Sequence, residues 1–131
     1  MKTKLALLFA AAMALSSVTV YAHHSFAGTY VLDRTQTVEG KVIQVLIRNP
    51  HSFITLEVMD EKGEPVRWSI EAAAANQMTQ QGEKAGLKVG DRLKVTGNPA
   101  RSADARRMRL VNMLRPSDGW NWGFADGQVV Q

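Results

Sequence analysis

The longest strand candidate in the chain, residues 38–48, has apolar side chains that change phase part-way along it. The first phase runs from Val38 to Val42 and the second from Ile43 to Ile47. Because strand side chains alternate between two faces, such a switch requires either burial of both faces or a β-bulge that re-aims the side chains. A long first strand that bends to serve two sheets satisfies this pattern. We therefore expect a curved, closed sheet; a flat sandwich is the alternative.

Four more strands are predicted after the long strand, over 54–58, 66–70, 92–96 and 107–115, and a short edge strand is predicted before it, over 29–32. The alanine-rich stretch Glu71–Gln81 predicts a helix with Gly82 as its stop. Three strands, a helix and two strands is the order of the five-stranded OB fold. We predict a mainly β protein, a small OB-like β-barrel with one helix between strands 3 and 4, in which Trp68 is part of the core and Met78 plugs the barrel.

The N-terminus has the composition of a cleaved signal peptide. Lys2 and Lys4 precede an apolar run over 5–15, and Val20 and Ala22 stand at the positions that signal peptidase requires to be small, before His23. The run is too short for a transmembrane helix, although a retained anchor is the alternative. We predict a signal peptide over 1–22, a barrel domain over 23–116 and a tail over 117–131, with no membrane span after cleavage and a periplasmic or secreted location.

Charge and cysteine content narrow the classes of partner. The formal net charge is +4, and removal of residues 1–22, which carry two lysines and no acid, reduces it to 4 − 2 = +2. Much of the basicity therefore belongs to the leader, which argues against a nucleic-acid partner. The chain has no cysteine, so thiolate metal sites and disulfides are excluded.

Several short motifs resemble a family of short exported bacterial proteins of unknown function. The motifs are Ala22–Phe26 (Ala-His-His-Ser-Phe), Gly40–Val42, Asn49–His51 (Asn-Pro-His), Trp68–Glu71 (W-x-x-E) and Gly90–Gly97. The resemblance covers nearly all of the chain after the leader and implies an exported, barrel-like protein. It brings no activity and no catalytic residues. The tail departs from the family in having two tryptophans, Trp120 and Trp122.

The histidines suggest a metal site. Cleavage before His23 creates a free α-amine beside an imidazole on one residue, and His51, which lies between the first two long strands, supplies a third nitrogen. His24 competes for that role. Three nitrogen ligands of this kind suit copper, since Cu²⁺ has the highest affinity in the divalent series. We predict a copper ion as cofactor, held by His23, His51 and His24 in one of these combinations. The alternative is that these histidines are exposed and bind no metal ion.

The second hypothesis is a metal-free barrel that binds a sugar, a peptide or an envelope protein partner. Phe53 on the second strand and Arg67 on the third are the candidate binding residues, since aromatic and cationic groups on a barrel face can stack on a ligand. The arginine run over 101–109 is interpreted as a solvated face.

No catalytic constellation is evident in the sequence. Ser25 and Ser52 lie near histidines, but nucleophilic catalysis also needs a positioned base and an oxyanion site. Glu57 and Glu71 fall on the outward phase of their strands. We therefore expect a binding protein and not an enzyme.

Overall fold

The computed structural model describes residues 26–82, 86–102 and 104–123. The predicted leader, His23 and His24 lie outside these ranges. The described elements are β1 (Gln36–Leu46), β2 (Phe53–Met59), β3 (Pro65–Glu71), α1 (Ala75–Gly82), β4 (Arg92–Pro99), β5 (Arg107–Arg115) and β6 (Trp120–Gly123). Residues 26–29 form a single helical turn before β1.

The strands form one sheet that closes on itself. Their order is β3-β2-β1-β4-β5-β6, and an additional pairing joins β3 to β5. This closing pair is parallel and brings Ser69, Ile70 and Glu71 opposite Arg107, Met108 and Arg109. The result is a closed five-stranded OB-type barrel with α1 between β3 and β4 and one extra strand, β6. The predicted fold class is confirmed.

The predicted bend of the first strand is present in β1. The first half of the strand pairs with β4 and the second half with β2. The register with β2 shifts between Val42 and Gln44, where the apolar phase changes in the sequence. Gly40 allows β1 to lie close to β2, because a Cβ added there would meet the Glu57 carbonyl oxygen at 2.5 Å. The phase switch therefore marks a bulge.

The core is the apolar interior of this barrel. Its buried members are Val42, Ile54, Leu56, Ile70, Ala72, Met78, Leu93, Val95, Met108, Leu110, Met113 and Trp122, and Trp68 packs against them while remaining partly exposed. Met78 of α1 is only 2% exposed, which confirms its predicted place in the core. No helix in the described ranges is long and apolar enough to cross a membrane.

Two local predictions were wrong. The helix begins at Ala75 and not at Glu71, because β3 continues through Glu71 to pair with Arg109 of β5; the pairing outweighs the helix propensity of the alanines, which is a weak preference. The helix ends at Gly82, the residue that was predicted to stop it. In place of the edge strand over 29–32, the chain makes a single bridge between Tyr30 and Ala100.

Residues 120–123, in the segment that the sequence predicts to be a tail, form a strand. This strand, β6, pairs antiparallel with β5. Trp122 is 5% exposed and joins the core, while Asn121 between the two tryptophans is exposed. The alternation of Trp120, Asn121 and Trp122 is typical of a strand. It is too short, and too close to glycines on both sides, to predict a strand from the sequence. The sheet therefore continues past Pro116.

Replacing Trp122 tests whether β6 belongs to the domain. Trp122→Ala removes a large buried side chain, and we expect the free energy of unfolding to fall by about 3–5 kcal/mol. Urea unfolding followed by far-UV circular dichroism measures the change. Asn121→Ala, on the exposed side of the same strand, is the control and should leave the midpoint almost unchanged. Equal effects of the two substitutions would contradict the placement of β6.

Candidate functional site

A buried carboxylate lies on the outside of the barrel at the seam between β3 and β5. Glu71 pairs with Phe53 of β2 on one side and with Arg109 of β5 on the other. These three residues form a row across three strands and share the outward phase that the sequence predicts for Glu71. Glu71 is nevertheless only 8% exposed. Another part of the chain must therefore cover this face.

The covering segment is residues 26–30. The Tyr30 amide donates to the Phe26 carbonyl at 2.7 Å, and the Val31 amide donates to the Pro99 carbonyl at 2.9 Å. Together with the bridge to Ala100, these bonds fix the segment across the seam. Tyr30 is 1% exposed, so the side chain that reaches Glu71 is itself removed from water.

Three side chains from separate parts of the chain bind the Glu71 carboxylate. Oε2 accepts hydrogen bonds from the Tyr30 hydroxyl and from Arg107 Nη2, the latter at 2.6 Å. Oε1 lies 2.8 Å from His51 Nδ1. Arg107 Nε also donates to the Tyr30 hydroxyl oxygen at 2.7 Å. We call Tyr30, His51, Glu71 and Arg107 the Glu71 cluster.

The cluster keeps Glu71 ionised and Tyr30 neutral. Burial opposes ionisation of Glu71, but the hydrogen bonds from Tyr30 and Arg107 and the nearby positive charge outweigh it, and the pKa of Glu71 is lowered. Burial, and then the hydrogen bond and negative charge of Glu71, raise the pKa of the Tyr30 hydroxyl well above its usual range. At neutral pH the Tyr30 hydroxyl therefore donates to a carboxylate.

His51 is oriented by the cluster. It follows the cis peptide bond between Asn49 and Pro50, and its ring lies 4.9 Å from the Phe26 ring. An ionised carboxylate only accepts hydrogen bonds, so Nδ1 carries the proton that faces Glu71. Nε2 is then the nitrogen with a lone pair for a ligand. The side chain is 33% exposed, so the imidazole is reachable from solvent.

The structure describes one of the three predicted metal ligands. His51 belongs to the Glu71 cluster, whereas His23 and His24 lie outside the described residues. Within the described ranges, no group of three or more histidine, aspartate and glutamate side chains is arranged to hold a metal ion. A metal site at His51 therefore needs ligands other than the histidine, aspartate and glutamate side chains of the described residues.

The two predicted ligand-binding residues lie apart on one hairpin. Phe53 of β2 stands opposite Glu71 of β3. Arg67, four residues before Glu71 on β3, stands opposite Glu57. The half-buried Phe53 ring contacts other arginines: the Arg48 guanidinium lies 4.9 Å and the Arg107 guanidinium 5.9 Å from its centre. Arg67 is exposed. The structure thus does not bring Phe53 and Arg67 together.

Three members of the cluster could not be recognised from the sequence. The sequence predicts an edge strand at Tyr30, an outward-facing position at the start of the helix for Glu71, and a solvated arginine run that includes Arg107, which instead pairs with Glu71. The W-x-x-E motif that ends at Glu71 was the available signal. Its partners could not be read from it, since Tyr30 and Arg107 are 41 and 36 positions away.

A family model described as a family of unknown function, DUF6152, matches residues 11–109. No curated protein matches the sequence. Among solved structures, the chain is similar to the mitochondrial single-stranded DNA binding protein Rim1 of S. cerevisiae, with 8% identity, a TM-score of 0.47 and coverage of 61% of this chain and 90% of that one. It is also similar to the N-terminal domain of PriB from Thermoanaerobacter tencongensis, with 22% identity, a TM-score of 0.46 and coverage of 62% and 93%. At these identities the likeness concerns the fold alone.

Titration of Tyr30 tests the hydrogen bond to Glu71. In a chain that begins at His23, Tyr30 is the only tyrosine, so phenolate absorbance reports on it alone. Because its pKa is raised, we expect the folded protein to show almost no phenolate at about pH 10.5, where an exposed tyrosine is mostly ionised. Glu71→Gln should shift the titration to lower pH. A midpoint near that of a free tyrosine in the folded protein would contradict the contact.

Glu71→Gln also tests the contribution of the carboxylate to stability. We expect the free energy of unfolding to fall by about 2 kcal/mol at neutral pH, because charged hydrogen bonds are lost. Since the pKa of Glu71 is lower in the folded state, this contribution is present above about pH 4 and is lost as pH falls through the folded-state pKa.

Urea unfolding of both proteins at neutral and acidic pH measures the difference between them. Glu57→Gln, on the same hairpin, is the control and should show little effect at either pH. A difference between wild type and Glu71→Gln that persists unchanged in acid would show that the carboxylate charge is not responsible.

Proposed function

Because this chain belongs to the family of unknown function DUF6152, and membership brings no activity with it, we propose the function from the Glu71 cluster. The proposal is that the protein is an exported binding module, periplasmic or secreted, that holds a copper ion at its N-terminus. His23 supplies its α-amine and imidazole after the leader is removed, and His51 supplies Nε2. His24 is the alternative third ligand.

The observation that carries this proposal is the contact between Phe26 and His51. Their ring centres are 4.9 Å apart, and Phe26 is three residues after His23. Three residues span at most about 10 Å when extended. A chain that begins at His23 is therefore long enough to bring its α-amine and first imidazole to His51.

The hydrogen bond of His51 supports the same proposal. Histidines that bind metals commonly donate their other ring N–H to a carboxylate, which fixes the ring and raises the basicity of the ligating nitrogen. His51 Nδ1 faces Glu71 Oε1 at 2.8 Å. With no cysteine in the chain, the ligands are imidazole and amine nitrogens, for which copper has the highest affinity.

The second candidate is a metal-free barrel that binds a sugar, a peptide or an envelope protein partner. It is favoured by the half-buried Phe53 ring, which two guanidinium groups flank. Mass spectrometry of the exported protein separates the candidates at little cost, because a terminus other than His23 removes the amine–imidazole pair.

Calorimetric titration with Cu²⁺ tests the copper site. Exported protein with an authentic His23 terminus should bind one Cu²⁺ ion. His51→Asn should weaken binding at least about tenfold, because asparagine keeps a hydrogen-bond donor for Glu71 but has no second ring nitrogen. A short glycine–serine extension before His23 should have a similar effect, since it moves the α-amine away from the imidazole. His24→Ala shows whether His24 takes part.

The control for folding is the thermal midpoint of each variant. The proposal fails if the authentic protein binds no Cu²⁺, or if neither the extension nor His51→Asn changes the affinity. Loss of binding in His24→Ala alone would assign the third ligand to His24.

A further inference from the structure

Three guanidinium groups lie on the barrel face that holds Glu71, and two of them form no ion pair within the described residues. Arg107 is paired with Glu71 at 2.6 Å. Arg48 and Arg109 form no ion pair with a carboxylate of the described residues. The face that holds Arg48, Arg107, Arg109 and Glu71 therefore has a local charge of 3 − 1 = +2.

The two unpaired guanidiniums lie on aromatic rings. Arg48 is 4.9 Å from the centre of the Phe53 ring, and Arg109 is 4.8 Å from the centre of the Phe26 ring. Such contacts hold a guanidinium in place at moderate energy and leave its N–H groups available. Arg109 is half-buried, and burial lowers its pKa although Glu71 and Tyr30 act in the opposite direction. The charge of Arg109 is thus incompletely compensated within the described residues.

A row of residues across three strands carries these groups. Arg109 stands opposite Glu71, and Glu71 stands opposite Phe53, whose ring carries Arg48. The backbones at the two ends of the row are two strand spacings apart, about 10 Å. An extended peptide with acidic side chains at successive or alternate positions presents two carboxylates to such a pair of guanidiniums.

We infer that this face binds an acidic segment of a partner protein, with carboxylates placed on Arg48 and Arg109. The backbone of Arg48 is held in place, because its amide donates to the Ser52 hydroxyl at 3.2 Å and Ser52 is fully buried. Single-stranded nucleic acid fits this face less well. Base stacking needs free ring faces, whereas Phe53 is flanked by Arg48 and Arg107, and Phe26 by Arg109 and His51. The inference does not depend on copper, since the arginines are present in the metal-free protein.

Fluorescence polarisation with a labelled glutamate-rich peptide tests the inference, with EDTA present so that metal plays no part. The glutamine counterpart of the peptide is the control ligand and should not bind. Arg48→Gln and Arg109→Gln should each weaken binding about threefold and the double variant about tenfold, and added salt should weaken binding further. Arg92→Gln is the control, because Arg92 is an exposed arginine of β4 that pairs with Glu39 at 2.8 Å and is not one of the arginines of this face.

Three results would overturn the inference: no binding of the glutamate peptide, equal binding of the glutamine peptide, or the same loss in Arg92→Gln as in the other variants. Tighter binding of a single-stranded DNA probe, with the same dependence on Arg48 and Arg109, would assign the face to nucleic acid instead. If Arg109→Gln unfolds the protein, the exposed Arg48 still decides the outcome. Copper binding measured on the same proteins separates this result from that of the proposed function.

Discussion

The burial of one carboxylate determines how the outer face of this barrel is built. A buried charge is costly unless donors satisfy it, and Glu71 takes its donors from Tyr30, His51 and Arg107. These belong to the segment before β1, the loop before β2 and the start of β5. A single negative charge therefore ties the beginning of the described chain to the seam of the barrel, and it also selects the tautomer of His51.

The architecture could be predicted where its signals are local. The switch from Val42 to Ile43 marks the bulge in β1 because a period of two is visible within a few residues. The start of α1 could not be predicted, because Glu71 is held in β3 by its pairing with Arg109, 38 residues later (109 − 71). Trp120 and Trp122 do alternate, but a strand of four residues gives too short a pattern to separate from a loop.

The candidate site could be predicted only in part, for a related reason. His51 follows Pro50 at the end of a strand candidate, and this placed it on the barrel rim. An outward phase, as at Glu71, normally means exposure to solvent. Glu71 is buried because residues 26–30 cover that face. The contact between the Tyr30 hydroxyl and Arg107 joins residues that are 77 positions apart in the sequence. No periodicity within a strand contains that information.

The seam itself has a further consequence for motion in the native state. Three residue pairs join β3 to β5, fewer than the five that join β1 to β2 or the seven that join β2 to β3, and parallel pairing is slightly weaker per residue. The β3–β5 ladder, the shortest in the barrel, is therefore reinforced by residues 26–30, which cover it. A ladder this short, with one short segment packed over it, is where local opening of the barrel costs the least free energy.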